Sequence, residues 1–240
     1  MSTIEKNARK NNFLYAIAGL GGISLIVLIH EIGHFLFAKF FNVPTPIFSV
    51  GFGPALFSIK IGQTMFNVAL LPFGGYVEMD QAVLAQLPYI PKMLIIFAGI
   101  LFNLIFAYLI LFYYAIRKKS NLKQIIINSI RPPDQEESEP NNGIIGPVGI
   151  VSILSNILII QPQAYWLLLA ILSLNMGLFN ILPLPFFDGG KACIVSIEAL
   201  TGKTVPAHAL WFISTFFLAF FLLFIAQVTM NDVKRLIGKK

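Results

Sequence analysis

The sequence predicts an α-helical polytopic membrane protein of about four transmembrane helices, with a membrane-associated β-hairpin between the first and the second. Three observations predict it. Only 12% of the 240 residues are charged, against about 25% in a soluble domain, so there is too little polar surface to cover a water-soluble globule. A mean hydropathy of +0.79 and 23 Phe point to lipid as the solvent for much of the chain. The apolar residues are also grouped into runs near the ~20 residues a helix needs to cross a hydrocarbon core.

The first run, residues 13–41, is interrupted by His30, Glu31, His34 and Lys39. Lys6, Arg9 and Lys10 before it look like the start of a secretory signal, but the run outlasts a signal's apolar core and is expected to stay in place. Residues 44–79 differ in kind, being rich in Pro and Gly. Within them, residues 55–60 and 64–70, joined by Ile61, Gly62 and Gln63, read as a short β-hairpin. Apolar, irregular backbone is tolerated at membrane depth only where protein or a water-filled cavity satisfies it. The hairpin is therefore expected against the helices, close to any active site.

The second run, 93–116, holds Asn103 as its only strongly polar residue, and residues 117–142 form a hydrophilic block that reads as a linker too short for its own core. Residues 144–160 are a shorter apolar segment, expected to lie in the interface or re-enter. A further span, 164–182, ends where Pro183 and Pro185 forbid a continuing helix. The last, 208–230, carries no charge. The whole chain, 1–240, reads as one membrane-embedded domain. Its net charge of +6 would suggest nucleic acid in a soluble protein. Here the basic residues flank apolar runs and anchor them, so no nucleic-acid partner is expected. One cysteine, Cys193, excludes an internal disulfide scaffold.

The string His30-Glu31-Ile32-Gly33-His34 carries the chemistry. On a helix, residues four apart share a face, so both imidazoles can reach one Zn²⁺ while the intervening Glu31 stands beside its bound water as general base. The plainer alternative is a pair of buried, hydrogen-bonded histidines with a Glu partner. Ionisable groups inside a span are costly and usually functional. Catalytic zinc needs a third protein ligand. Asp188, just past a span and before Gly189-Gly190, is the leading candidate, with Glu78, Asp80 and Glu198 as weaker rivals. An Asp that merely caps a helix is the alternative for Asp188. His208 opens the last span and is expected at the interface.

These residues sit within a larger ordered set: Ser49-Val50-Gly51-Phe52-Gly53-Pro54, Pro72-Phe73-Gly74-Gly75-Tyr76-Val77, Phe97-Ala98-Gly99 with Asn103, Gly146-Pro147-Val148-Gly149-Ile150, and the run from Asn180 to Gly190. In content and order the set resembles the site-2 protease family, zinc metalloproteases that cut substrate helices within the membrane. The resemblance implies Zn²⁺ bound by His30, His34 and Asp188, with Glu31 activating the water. It implies that Asn180 hydrogen-bonds substrate and that Pro183 shapes the same wall; an amide that only ties two helices together and a proline that only ends a helix are the alternatives. Gly74, Gly75 and Tyr76 match the family's β-loop, which helps present the substrate as an extended strand; glycines that serve packing alone are the alternative.

The implied function is intramembrane proteolysis of membrane-protein substrates, which another protease can pre-cleave, by a multi-pass enzyme of the bacterial cytoplasmic membrane. A catalytically inactive relative that binds membrane helices as a scaffold or chaperone is the competing expectation. A transporter with an intramembrane proton or metal relay would leave the hairpin and the motif order unexplained. Many similar bacterial members carry a PDZ domain where this chain has only the linker. Ile100 stands where the family usually has Pro after Phe-Ala-Gly.

Orientation sets two readings against each other. In a four-span arrangement the termini and the linker share one side and hold twelve of the seventeen basic residues, which by the positive-inside rule places them in the cytoplasm. The family resemblance places the termini outside. The family arrangement is preferred, because four acids accompany the linker's five bases. Membrane-impermeant maleimide applied to intact cells is expected to modify both Thr3→Cys and Leu236→Cys above the unsubstituted protein; protection of both would reverse the orientation.

Overall fold

The computed structural model describes residues 3–118, 146–160 and 162–237. The linker expected at 117–142 falls almost wholly outside the described residues. The elements in order are α1 (Thr3–Phe40), β1 (Ile47–Ile61), β2 (Thr64–Glu78), α2 (Gln81–Gln86), α3 (Tyr89–Lys118), α4 (Pro147–Ile160), α5 (Pro162–Asn180), α6 (Asp188–Thr201) and α7 (Ala207–Ile237). Among the described residues, three helices are long and apolar enough to cross a membrane: Ile17–Phe40, Tyr89–Arg117 and Ala207–Lys234. The fourth expected span is a shorter apolar helix, Ala164–Asn180, at the lower end of spanning length. The chain divides into two compact units, Met1–Gly22 with Phe106–Leu172 and Phe220–Lys240, and Ile23–Ile105 with Ser173–Ala219.

The second unit carries the motif residues. Here α1 stops through local hydrogen bonds that its own sequence supplies. Asn42 adopts the left-handed conformation with φ 57°, one of the few non-glycine residues that does so readily. Its N–H donates to the Lys39 carbonyl, and the Val43 N–H donates to the Ala38 carbonyl at 2.8 Å. This is the Schellman closure of a helix end, and Pro44 then prevents continuation. Val43 and Ala38 are both buried and pack with Ile95 of α3, so the signal that ends the helix also seeds the local core.

The hairpin is longer than the sequence indicated. Its turn lies at Gly62-Gln63, as expected, with Ile61 opposite Thr64 and Gly62 at φ 60°. Pairing then extends back to Ile47 and forward to Glu78. Ile47, Phe48, Ser49 and Val50 have Met65, Phe66, Asn67 and Val68 as partners along one edge and Glu78, Val77, Tyr76 and Gly75 along the other. Register shifts between Val50 and Phe57 let the two long strands fold over themselves. The Pro- and Gly-rich composition that signalled irregular loop is instead a bent, bulged sheet.

In the first unit, α4 begins with Pro147 in its first turn, where a missing N–H costs nothing. Its N-terminal end is closed by the last helix: the Gly149 N–H donates to Oδ2 of Asp232 at 2.9 Å, and Asp232 is buried. The segment expected to be interfacial or re-entrant is thus, over Pro147–Ile160, a 14-residue helix. Ala18 accepts a 2.8 Å bond from the Tyr165 hydroxyl, and Gly19 leaves room for the Val151 carbonyl.

Asp232→Ala is expected to lower stability by about 1 kcal/mol, the usual cost of losing a helix-end acceptor. Asp232→Asn, which keeps an acceptor oxygen, is expected to lose less. Denaturation midpoints of the purified protein in detergent check this, and an unchanged Ala variant would exclude the cap.

Candidate metal centre

Helix α1 places His30 and His34 one turn apart on one face, their ring centroids 4.7 Å apart and edge to face. The two Nε2 atoms are 3.1 Å apart. Asp188 stands at the first position of α6, and its Oδ2 lies 3.0 Å from His30 Nε2 and 3.1 Å from His34 Nε2. All three side chains are buried. They form the one group of three or more metal-type donors found among the described residues. The three atoms therefore make a nearly equilateral triangle. Three ligands of a tetrahedral ion with ~2.1 Å bonds would be about 3.4 Å apart. The triangle needs to open by only a few tenths of an ångström, and two imidazoles with one carboxylate are a donor set that zinc accepts. The residues present fit the ion.

The chain reaches this arrangement by local means on both sides. The residue that caps α6 is Phe187, and it makes no side-chain cap bond. Asp188 is therefore not occupied as a capping residue, the role its sequence context also allowed. A methyl group at Gly189 would strike the Ile181 carbonyl, and one at Gly190 the Leu184 carbonyl. The two glycines are what let α6 start tight against the Pro-rich connection and bring the carboxylate to the imidazoles.

The rivals of Asp188 are engaged or exposed elsewhere. Asp80 accepts from the N–H groups of Ala82 and Val83 and caps α2. Glu198 accepts from the Val205 N–H at 2.9 Å. Glu78 and His208 are exposed.

Further groups hold the donors. The Nδ1 of His34 donates to the Ile95 carbonyl at 2.8 Å, which leaves the Nε2 lone pair free to ligate. Nζ of Lys191, one turn along α6, donates to Asp188 Oδ1 at 3.0 Å, directing the other oxygen to the imidazoles. Burial alone would raise the Asp188 pKa. The hydrogen bonds from His30 and His34 and the Lys191 charge outweigh it and hold the carboxyl well below the usual carboxylate range.

A cavity of about 590 Å³ opens on the triangle. Glu31, Gly74, Gly75, Tyr76, Asn180 and Lys191 line it together with the three donors. Gly75 lies close to Glu31: a Cβ there would be 3.6 Å from Glu31 Cγ and 2.7 Å from the Ser49 carbonyl. Tyr76 stacks on Phe52 with the rings within 9° of parallel. Asn180 donates to the Met176 carbonyl at 3.0 Å. Pro183 is exposed and is not among the lining residues.

Sequence reasoning missed Lys191 and the Ile95 carbonyl. The first had a signal, a cation three residues after Asp188 on the same helix face. The second had none, because a backbone carbonyl carries no sequence signature.

Three relatives share one designation. The chain is 36% identical to a protein of Borreliella burgdorferi over 115 residues, 40% of this chain and 27% of that one. It is 35% identical to one of Fusobacterium nucleatum over 108 residues, 42% of this chain and 31% of that one. Both bear the name "Putative zinc metalloprotease", and the match spans less than a third of the length of either. A protein of Nostoc sp. with the same designation is 22% identical over 319 aligned positions, 79% of this chain and 88% of that one. That alignment is longer than this chain, so the Nostoc protein holds residues within the aligned region that this chain lacks. The family model described as "Peptidase family M50" matches residues 18–224, and with the two-histidine, one-aspartate centre inside that span, the chain belongs to this family, the site-2 proteases.

Proposed function

We propose that this chain is an intramembrane zinc endopeptidase that hydrolyses peptide bonds within or near the transmembrane segments of membrane-protein substrates. The observation that carries the proposal is the triangle of His30, His34 and Asp188 beside Glu31, with three of these four residues inside the candidate span Ile17–Phe40. Charged and imidazole side chains at that depth need a function to offset their cost. A zinc ion held by the three donors would supply a bound water of lowered pKa and polarise the scissile carbonyl.

The remaining work falls to the chain's own residues. Glu31 takes the proton of the attacking water and delivers it to the leaving amine, a general acid–base role. Asn180 turns its Nδ2 from Met176 to the substrate carbonyl, and Pro183 stiffens the turn behind it. The segment Gly74-Gly75-Tyr76 offers strand backbone beside Glu31, against which an unwound substrate segment can hydrogen-bond. A substrate must be extended there, because helical hydrogen bonds shield its carbonyls. The roughly 590 Å³ cavity admits the water that hydrolysis consumes.

In this reading the Ala164–Asn180 helix makes the fourth crossing. The enzyme is a multi-pass protein of a bacterial cytoplasmic membrane, and its substrates can be trimmed first by another protease.

Purified protein in detergent, incubated with a single-span test substrate, is expected to cleave it. Glu31→Gln is expected to lose ~10²–10⁴-fold in rate, and a chelator to abolish cleavage until zinc is restored. Cleavage by Glu31→Gln at the wild-type rate would refute the mechanism. A wild type that binds substrate helices without cutting them would favour the scaffold. Zinc content is expected to fall in Asp188→Ala; equal content would remove Asp188 as a ligand.

A further inference from the structure

Helix α3 supplies no metal donor, yet one of its faces is built around both imidazoles. Ile95, Gly99 and Asn103 are spaced four apart and therefore share that face. The Ile95 carbonyl takes the Nδ1 proton of His34. Gly99 lies directly against both rings: a methyl there would strike His34 Nε2 and come within 2.8 Å of His30 Nδ1. The Asn103 side chain, fully buried, places its Nδ2 3.3 Å from His30 Nδ1.

That last contact joins two nitrogens. With the amide donating, His30 Nδ1 must be the bare nitrogen and the ring proton must sit on Nε2, facing Asp188 Oδ2 at 3.0 Å. This tautomer has no lone pair for an ion. No other group holds the amide this way round, since Asn103 Oδ1 has no hydrogen-bond partner among the described residues. The two ends of a primary amide are alike in size, and a half turn about its last bond exchanges donor for acceptor.

Resting on the zinc reading above, we propose that Asn103 is the positioning residue for His30: its Oδ1 accepts the Nδ1 proton whenever Nε2 ligates the metal. The amide follows the tautomer, donating to His30 in the protonated-Nε2 form and accepting from it in the ligating form. Both ligand histidines are thereby oriented by α3, one through a fixed carbonyl and the other through an amide that can turn. Ser173 Oγ donates to the Asn103 backbone carbonyl, a bond that anchors the residue without touching its side chain.

The test is zinc affinity by chelator competition on the purified 240-residue chain in detergent, together with the visible spectrum of the cobalt-substituted form. Asn103→Leu is expected to weaken zinc 10–100-fold, the usual effect of removing an outer partner of a ligand histidine, and to shift the cobalt bands. Asn103→Asp, which can only accept, is expected to bind at least as tightly as wild type. Ser173→Ala, which disturbs the same residue's packing, is expected to stay within about twofold.

Wild-type affinity in Asn103→Leu would overturn the proposal. So would Asn103→Asp binding zinc 10–100-fold more weakly than wild type, a result that needs only the folded Asp variant and shows the amide N–H to be the group in use. A wild type that takes up no zinc would overturn the metal centre itself, an outcome distinct from zinc held equally by wild type and variant.

Discussion

Burying a carboxylate and two imidazoles among apolar helices is tolerable only if the three satisfy one another or an ion, because an unpaired charge there is far costlier than the fold could offset. That constraint organises the unit formed by Ile23–Ile105 and Ser173–Ala219. Helix α1 must keep two consecutive turns of one face toward the same point, α6 must begin at that point, and α3 must come close enough to hold the rings. Each demand is met by a local device: the Schellman closure after Phe40, the glycine pair after Asp188, and the bare Cα of Gly99.

Close approach is the common requirement. Where α1 passes α3, a methyl at Gly33 would meet the Ala98 carbonyl, so the two backbones touch one residue from His34. Small residues at helix crossings let backbones approach in membranes, where burial against lipid gives little drive of its own. Here that closeness brings the Ile95 carbonyl within 2.8 Å of His34 Nδ1. The packing of the helices and the orientation of the ligands thus have the same cause. The sheet meets the same requirement through Gly75, which lets strand backbone pass Glu31 without a side chain in the way.

Features governed by neighbours in sequence were legible from the residues. The hairpin turn at Gly62-Gln63 follows from one residue able to take positive φ between two β-prone stretches. The end of α5 at Asn180 follows from Pro183 and Pro185. The extent of the sheet was not legible, because residues 47–50 find partners on both edges and no local pattern announces that. Nor was the closure of the Pro147–Ile160 helix legible, since the Asp232 carboxylate that accepts from its N-terminal end lies far along the chain.

By itself the sequence determined that lipid is the solvent and that His30, Glu31 and His34 stand together, since a four-residue spacing and a 3.6-residue helical period need no partner to act. The sequence also put Asp188 ahead of the other carboxylates, but only the tertiary structure shows its oxygen beside the imidazoles. As isolated side chains, Asp188, Asp80, Glu78 and Glu198 are the same chemistry. They separate only once Asp80 is taken up in capping α2, Glu198 in bonding the Val205 N–H, and Asp188 is carried across 154 positions to the imidazoles. Likewise the surrounding partners, the Ile95 carbonyl, the Lys191 ammonium and the Asn103 amide, become visible only in the fold, because a hydrogen bond between distant residues depends on where the backbone has gone.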